Sequence, residues 1–254
     1  MRDILATEWT DDKKRDYFIE YYSYKVFEHF DTLLQESTNE FSSLYVDVLS
    51  ELITNGIMHS GSDVFALMFS DKYSIKFSIS DNGIGLYQSL QNKLNFDFEL
   101  SNELFSDTTL NLSRNPRTES LVTIFEALYF SMSKKRLGLF DLMINVINHF
   151  SGYFRLHNGC SQIIFSSRQS KELEKLEKTR KEIRSLFYAN DSNLCDEAGI
   201  LTKVESLKLI GKKQFVELFK NSMKNYSNDI KFSAIRFYNV RFNGVHIEVE
   251  IPKQ

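Results

Sequence analysis

The chain predicts an α/β (α+β) fold, and three observations carry that expectation. Residues 41–59 and 139–150 space their apolar side chains at helical intervals. Residues 74–80 alternate instead, turning Ile75, Phe77 and Ile79 to one side as a half-buried strand does. Asn158-Gly159 and Asn243-Gly244 each separate two apolar runs, the local signature of a hairpin.

In chain order, residues 13–35 are aromatic-rich and free of Gly and Pro, which predicts a helix. Its aromatics (Phe18, Tyr21, Tyr22, Phe27, Phe30) are expected in a core rather than an interface. A second helix over 41–59 stops at Ser60-Gly61-Ser62. Strands follow over 64–69 and 74–80, joined by Asp71-Lys72. The stretch 88–133 is polar and irregular, with one helix near 118–130. The helix over 139–150 is patterned by Leu142, Met143, Val146 and Ile147, and hairpin strands are expected over 152–157 and 160–165. Residues 168–190 read as a charged helix with a thin apolar stripe (Leu173, Leu176, Ile183, Leu186, Phe187), packed on its own domain rather than forming a coiled coil. Residues 191–230 are mostly helical and lysine-rich, and two strands over 234–240 and 245–251 end at Pro252.

With 254 residues, 42% hydrophobic and 26% charged, the chain is an ordinary globular protein of one large domain or one domain with an appendage. A formal net charge of −3 disfavours nucleic acid as a partner. No apolar run approaches the roughly 20 residues needed to span a bilayer, and the acidic N-terminus lacks the pattern of a signal peptide. Cys160 and Cys195 are expected to be free thiols in a reducing compartment, without metal-site spacing. The expected location is the cytoplasm.

Two short motifs carry the chemistry. Glu51, Asn55 and His59 recur four apart, so they form a polar stripe on an otherwise apolar helix. Asp81-Asn82-Gly83-Ile84-Gly85 then ends an alternating strand in a carboxylate and two glycines. A carboxylate there can accept a hydrogen bond from an adenine amine, and glycines let backbone approach a ligand. An amide oxygen such as Asn55 Oδ1 suits Mg²⁺, which typically takes one or two protein oxygens plus phosphates. Glu51 could polarise a water or hydroxyl attacking a γ-phosphate, while His59 reads as structural. Lys134, Lys135 and Arg136 precede the 139–150 helix, whose free N–H groups suit a phosphate. The combination points to a nucleotide, ATP first.

These segments together resemble the GHKL superfamily of ATPases. Glu51-x-x-x-Asn55-x-x-x-His59 is similar to its Mg²⁺-binding helix motif, in wording nearest to the anti-sigma-factor serine kinases. Asp81-x-Gly83-x-Gly85 is similar to the first glycine box, and Arg136-Leu137-Gly138-Leu139 to the end of the second, beside a mobile ATP lid. The resemblance implies a two-layer sandwich of Bergerat type over 41–167 and 236–254, a mixed, mostly antiparallel sheet with helices 41–59 and 139–150 on one face. Residues 1–40 would be a helical extension and 168–235 a helical insertion. It implies ATP and Mg²⁺ as cofactors, with Asn55 as metal ligand, Glu51 as general base and Asp81 as adenine anchor. Gly83, Gly85, Lys134, Arg136, Leu137, Gly138 and Leu139 would shape the remaining pocket. Lys134 and Arg136 stand where fuller versions of the second box carry glycines.

The function expected from the resemblance is an ATPase whose nucleotide state controls a lid and protein association. A serine kinase of anti-sigma type and a nucleotide-gated binding module with little turnover are the alternatives. A sensor histidine kinase is disfavoured, because His29 is the only histidine in the first 40 residues and no dimerisation unit precedes the domain. A protein partner is expected, with a co-encoded protein as one candidate. Dimerisation is a family expectation that the sequence itself does not show.

Overall fold

The computed structural model describes residues 2–35, 39–94, 96–191, 197–224, 226 and 233–253. Its elements in order are α1 (Arg2–Leu5), α2 (Asp11–Gln35), α3 (Asn39–Ser60), β1 (Val64–Ser70), β2 (Ser74–Asp81), α4 (Gly85–Gln91), α5 (Glu99–Ser106), α6 (Pro116–Met132) and α7 (Leu139–Ile144). A π turn (Asn145–His149), β3 (Tyr153–Phe165), α8 (Ser170–Asp191), α9 (Glu197–Lys224) and β4 (Ile235–Pro252) complete the chain. The four strands form one open sheet in the order β1-β2-β4-β3, antiparallel at every pairing. The α+β reading therefore holds, and the sheet is wholly antiparallel.

One sheet face is buried. Ile75, Phe77 and Ile79 of β2, Phe154 and Leu156 of β3, and Ile247, Val249 and Ile251 of β4 all point into the core. The period-2 alternation of these runs puts every second side chain on that face. The other face is open, and edge strand β1 turns Phe65, Leu67 and Phe69 to solvent there.

Helices α3, α6 and the π turn after α7 lie against the sheet. The central one, α6, was expected only as a stretch near 118–130. Asn115 caps it, accepting from the backbone N–H groups of Arg117 (3.0 Å) and Thr118 (3.2 Å), with Pro116 in its first turn. Its residues 121–129 are buried throughout, because α5, α7 and α9 enclose its remaining sides. The helices α4 and α5 within 88–133 were not foreseen. Both are short and mostly polar, and a one- or two-turn helix has too few apolar repeats to show its period. The helix expected over 139–150 is α7 followed by the π turn, which makes the offset of one residue that periodicity alone cannot reveal.

The two Asn-Gly pairs do not make hairpins. Each lies inside one long strand, as a bulge. Pairing steps from Asn158↔Val245 to Gly159↔Phe242, leaving Asn243 and Gly244 unpaired, and both glycines sit at positive φ (57° and 86°). The reason is tertiary. Asn158 Oδ1 accepts from the Leu86 backbone N–H at the start of α4 (3.1 Å), and Ser120 Oγ on α6 accepts from the Cys160 backbone N–H (3.1 Å). The left-handed residue that a two-residue turn needs is instead used to re-aim the strand.

Beyond the sheet, α8 and α9 pack on each other, on α5 and α6, and on the π turn. Leu173, Leu176 and Ile183 of α8 and Phe215, Leu218 and Phe219 of α9 belong to the same core cluster as the sheet. The apolar stripe of α8 is thus spent inside its own protein. In α2, Phe18 and Val26 are buried, Tyr22 packs against the core and Tyr21 is exposed. The side chains of Phe27 and Phe30, and all of Cys195, lie outside the described residues; Cys160 is a buried free thiol. No helix among the described residues is long and apolar enough to cross a membrane.

Candidate functional site

A cavity of about 580 Å³ opens between the first turn of α2, the C-terminal half of α3, α4, and the loop joining α6 to α7. Such a volume is in the range of small-molecule sites. Its floor is the sheet, where Ile79, Val245 and Ile247 present apolar surface. Asn55, His59, Asp81, Gly85, Lys134, Arg136, Leu137, Gly138 and Leu139 all line it. Side chains foreseen from three separate segments therefore meet at one hollow. Glu51 and Gly83 do not reach the lining.

Asp81 ends β2 at the floor and is 7% exposed. Its Oδ1 accepts from the Gly83 backbone N–H (2.9 Å). Burial pushes its carboxyl above the usual carboxylate range, against the opposing pull of the Gly83 and Val245 N–H groups. Gly83 serves this turn differently from what its motif suggested. A Cβ on it would collide with the Ser60 carbonyl at the end of α3, so its bare backbone lets turn and helix touch. The Ile84 N–H donates to that same carbonyl (3.0 Å).

Asn55 projects from α3 with its amide held at both ends. Its Nδ2 donates to Glu51 Oε1 (3.4 Å), and its Oδ1 accepts from Arg15 Nη1 (2.9 Å). Arg15 Nη2 also donates to Glu51 Oε1. Glu51 is partly buried behind Asn55, and desolvation raises its pKa more than Arg15 and Asn55 lower it. His59 is pushed down to about 4, chiefly by burial, with Lys93 and Arg15 adding repulsion. It is a neutral ring in the cavity wall at neutral pH.

The rim is cationic. Lys93 and Lys134 place their ammonium groups 5.2 Å and 4.1 Å from the Phe130 ring centroid. Desolvation lowers the pKa of both, and the residue surface of Lys134 nevertheless stays open to solvent. Arg136 grips Asp16 of α2 through Nη1 (2.6 Å) and Nη2 (3.4 Å), with Asp12 3.7 Å from its Nε. Gly138 caps α7, where its N–H donates to Asp141 Oδ2 (3.0 Å).

Arg15, Asp11, Asp12 and Lys93 are site residues that sequence reasoning missed. Arg15 lies in a run of three cations, Lys13-Lys14-Arg15, that reads as a solvated helix start. Nothing local links it to Glu51, which follows 36 residues later. Lys93 stands in the stretch read as irregular.

For a metal, Asn55 in the cavity wall brings one hard amide oxygen, which Arg15 Nη1 engages at 2.9 Å. No group of three His, Cys, Asp or Glu side chains that could hold an ion occurs among the described residues. The residues therefore fit a Mg²⁺ ion that arrives with a ligand's own oxygens, and not a metal bound by protein alone. No family model, no curated protein and no solved structure matches this chain.

Proposed function

We propose that this protein is a GHKL-type ATP-binding protein that takes its nucleotide, with Mg²⁺, in the α3–β2–α7 cavity. One observation carries the reading. A buried acid at the apolar floor and a cluster of cations at the open rim, which outnumber Asp11 and Asp12 there, face the same 580 Å³ space as the Asn55 amide. Adenine suits the floor, where Asp81 can accept from its exocyclic amine. The phosphates suit the rim, where Lys93, Lys134 and Arg136 converge. Mg²⁺, when bound, would neutralise phosphate charge beside Asn55. The chain's own residues then orient the base, hold the amide oxygen toward the phosphates and screen the apolar floor from water.

Glu51 is the candidate base for hydrolysis. Its place behind Asn55, engaged by Arg15, favours a second reading: a nucleotide-gated binding module with slow turnover. In either case the nucleotide state is read by α2, whose Asp12 and Asp16 meet Arg136 at the rim, and passed to a protein partner.

Calorimetry with ATP, GTP and adenosine tests the reading. ATP should bind tighter than GTP, and Asp81→Asn should narrow that preference by about tenfold or more, the scale of one charge-assisted hydrogen bond. Asn55→Ala should abolish the Mg²⁺ enhancement. Wild-type affinity in both variants would overturn the site. Phosphate release that Glu51→Ala stops, with binding intact, favours the ATPase. Label transfer from ATP to a co-encoded protein would favour the serine kinase, and neither result leaves the binding module.

A further inference from the structure

The α6–α7 loop, residues 133–138, supplies much of the cationic rim, and it is held by a residue from outside the resembling domain. Arg180 occupies a core position on α8, one turn beyond Leu176 and one before Ile183, and is 2% exposed. A cation is tolerated at such a place only when each of its N–H groups finds an acceptor. Arginine has five. Here Nε donates to Asp141 Oδ1 (2.9 Å) and Nη2 to Asp141 Oδ2 (2.9 Å). Nη1 donates to the Met132 carbonyl (2.9 Å) and the Lys134 carbonyl, and Nη2 also to the Arg136 carbonyl (2.7 Å).

The acceptors define what Arg180 does. Two are carbonyls of the loop whose side chains face the cavity, Lys134 and Arg136, and a third is the Met132 carbonyl at the end of α6. The fourth and fifth are the two oxygens of Asp141, which also accepts from the Gly138 N–H. One guanidinium and one carboxylate thus fix both ends of the loop, and Phe140 N–H on Ser131 Oγ (3.0 Å) ties α7 to α6 at its base. A swinging lid would have to break all of these bonds at once, inside a buried pocket.

We infer that Arg180 is a positioning residue for the nucleotide site: it holds the α6–α7 loop as a fixed rim, so that the α8–α9 hairpin is a working part of the site. The inference rests on the nucleotide reading. It replaces the mobile lid that the resemblance implies with a stationary wall. It also gives the segment 168–235 a role the sequence could not supply. Arg180 touches no ligand; it sets where Lys134 and Arg136 stand.

The test separates phosphate recognition from base recognition in the full chain. Arg180→Lys keeps the charge but cannot span Asp141 and three carbonyls. ATP affinity should fall at least tenfold while adenosine affinity stays within twofold, and Gly138 amide exchange should rise in the absence of ligand. Asp141→Asn, which removes the carboxylate that pairs with Arg180, should shift the same ratio in the same direction wherever the variant folds. An unchanged ATP-to-adenosine ratio in a folded variant, whatever the change in Tm, would overturn the positioning role. Wild-type protein that binds neither ligand would overturn the nucleotide reading itself, and this inference with it.

Discussion

Arg15 stands on both groups that the proposed site assigns to metal and chemistry, which makes Arg15→Ala the most informative single change. Its guanidinium is 2.9 Å from Asn55 Oδ1 and also bonds Glu51 Oε1, with both charged side chains 15% exposed. Mg²⁺ binds its oxygen ligands at about 2.0–2.1 Å, closer than the nitrogen now stands, and two cations would then share one oxygen. Mg-nucleotide binding must therefore break the Arg15–Asn55 bond. A hydrogen bond from a charged donor contributes about 1.5–3 kcal/mol net, and the arginine keeps part of this because its link to Glu51 can survive a pivot. Removing Arg15 should tighten Mg-nucleotide binding by about fivefold to tenfold, or ~1–1.4 kcal/mol. Without metal the sign reverses. Arg15 is then one of the cations facing the phosphates, and its loss should weaken binding by a similar factor. Titration calorimetry with a non-hydrolysable ATP analogue, in Mg²⁺ and in chelator, reads both signs. A shift in the same direction under both conditions would refute the reasoning, because Arg15 would then not compete with the metal.

Further consequences concern stability. His59 has a folded pKa of about 4 against 6.5 in its ordinary state, so the unfolded chain binds the extra proton between those values. Its contribution is complete above pH 6.5 and is lost as pH falls toward 4, by at most about 3 kcal/mol. Urea melts of wild type and His59→Gln at pH 7 and 4.5 should diverge by that sign, and parallel curves would show the ring to be free of burial cost. Gly244→Ala places a side chain at φ +86° where it would collide with Asp81, so a loss of more than about 2 kcal/mol is expected. Circular dichroism melting measures it; a loss under about 0.5 kcal/mol would contradict the packing of bulge against acid. Phe219→Ala on α9 removes a ring 4.9 Å from Phe125 in α6 and should cost about 3–5 kcal/mol. Because the core is continuous, calorimetry should show one transition moved down as a whole, and a separate early transition for α8–α9 would refute that unity.

What the sequence made legible follows from how far each signal reaches along the chain. Helix α3 and strand β2 were clear because their periodicity is carried by their own residues. Asn55 and Asp81 were clear for the same reason, each being odd against its immediate neighbours. The bulges were misread since Asn-Gly reports only that a left-handed residue is affordable, and the choice between turn and bulge is made by Asn158 and Ser120 contacts with α4 and α6. Arg15 and Arg180 were invisible for a deeper reason. Each looks like one more cation on a charged helix, and each acquires meaning only from partners 36 to 48 residues away. Arg15 comes from the extension before the resembling domain and Arg180 from the insertion within it. Motif reading finds the groups that would touch a ligand, because those sit in recognisable spacing. It does not find the groups that hold them, since a guanidinium needs only acceptors within 3 Å and any helix that passes nearby can bring it. In this protein the holding groups decide the open questions: Arg15 whether the amide is free for a metal, and Arg180 whether the rim can move.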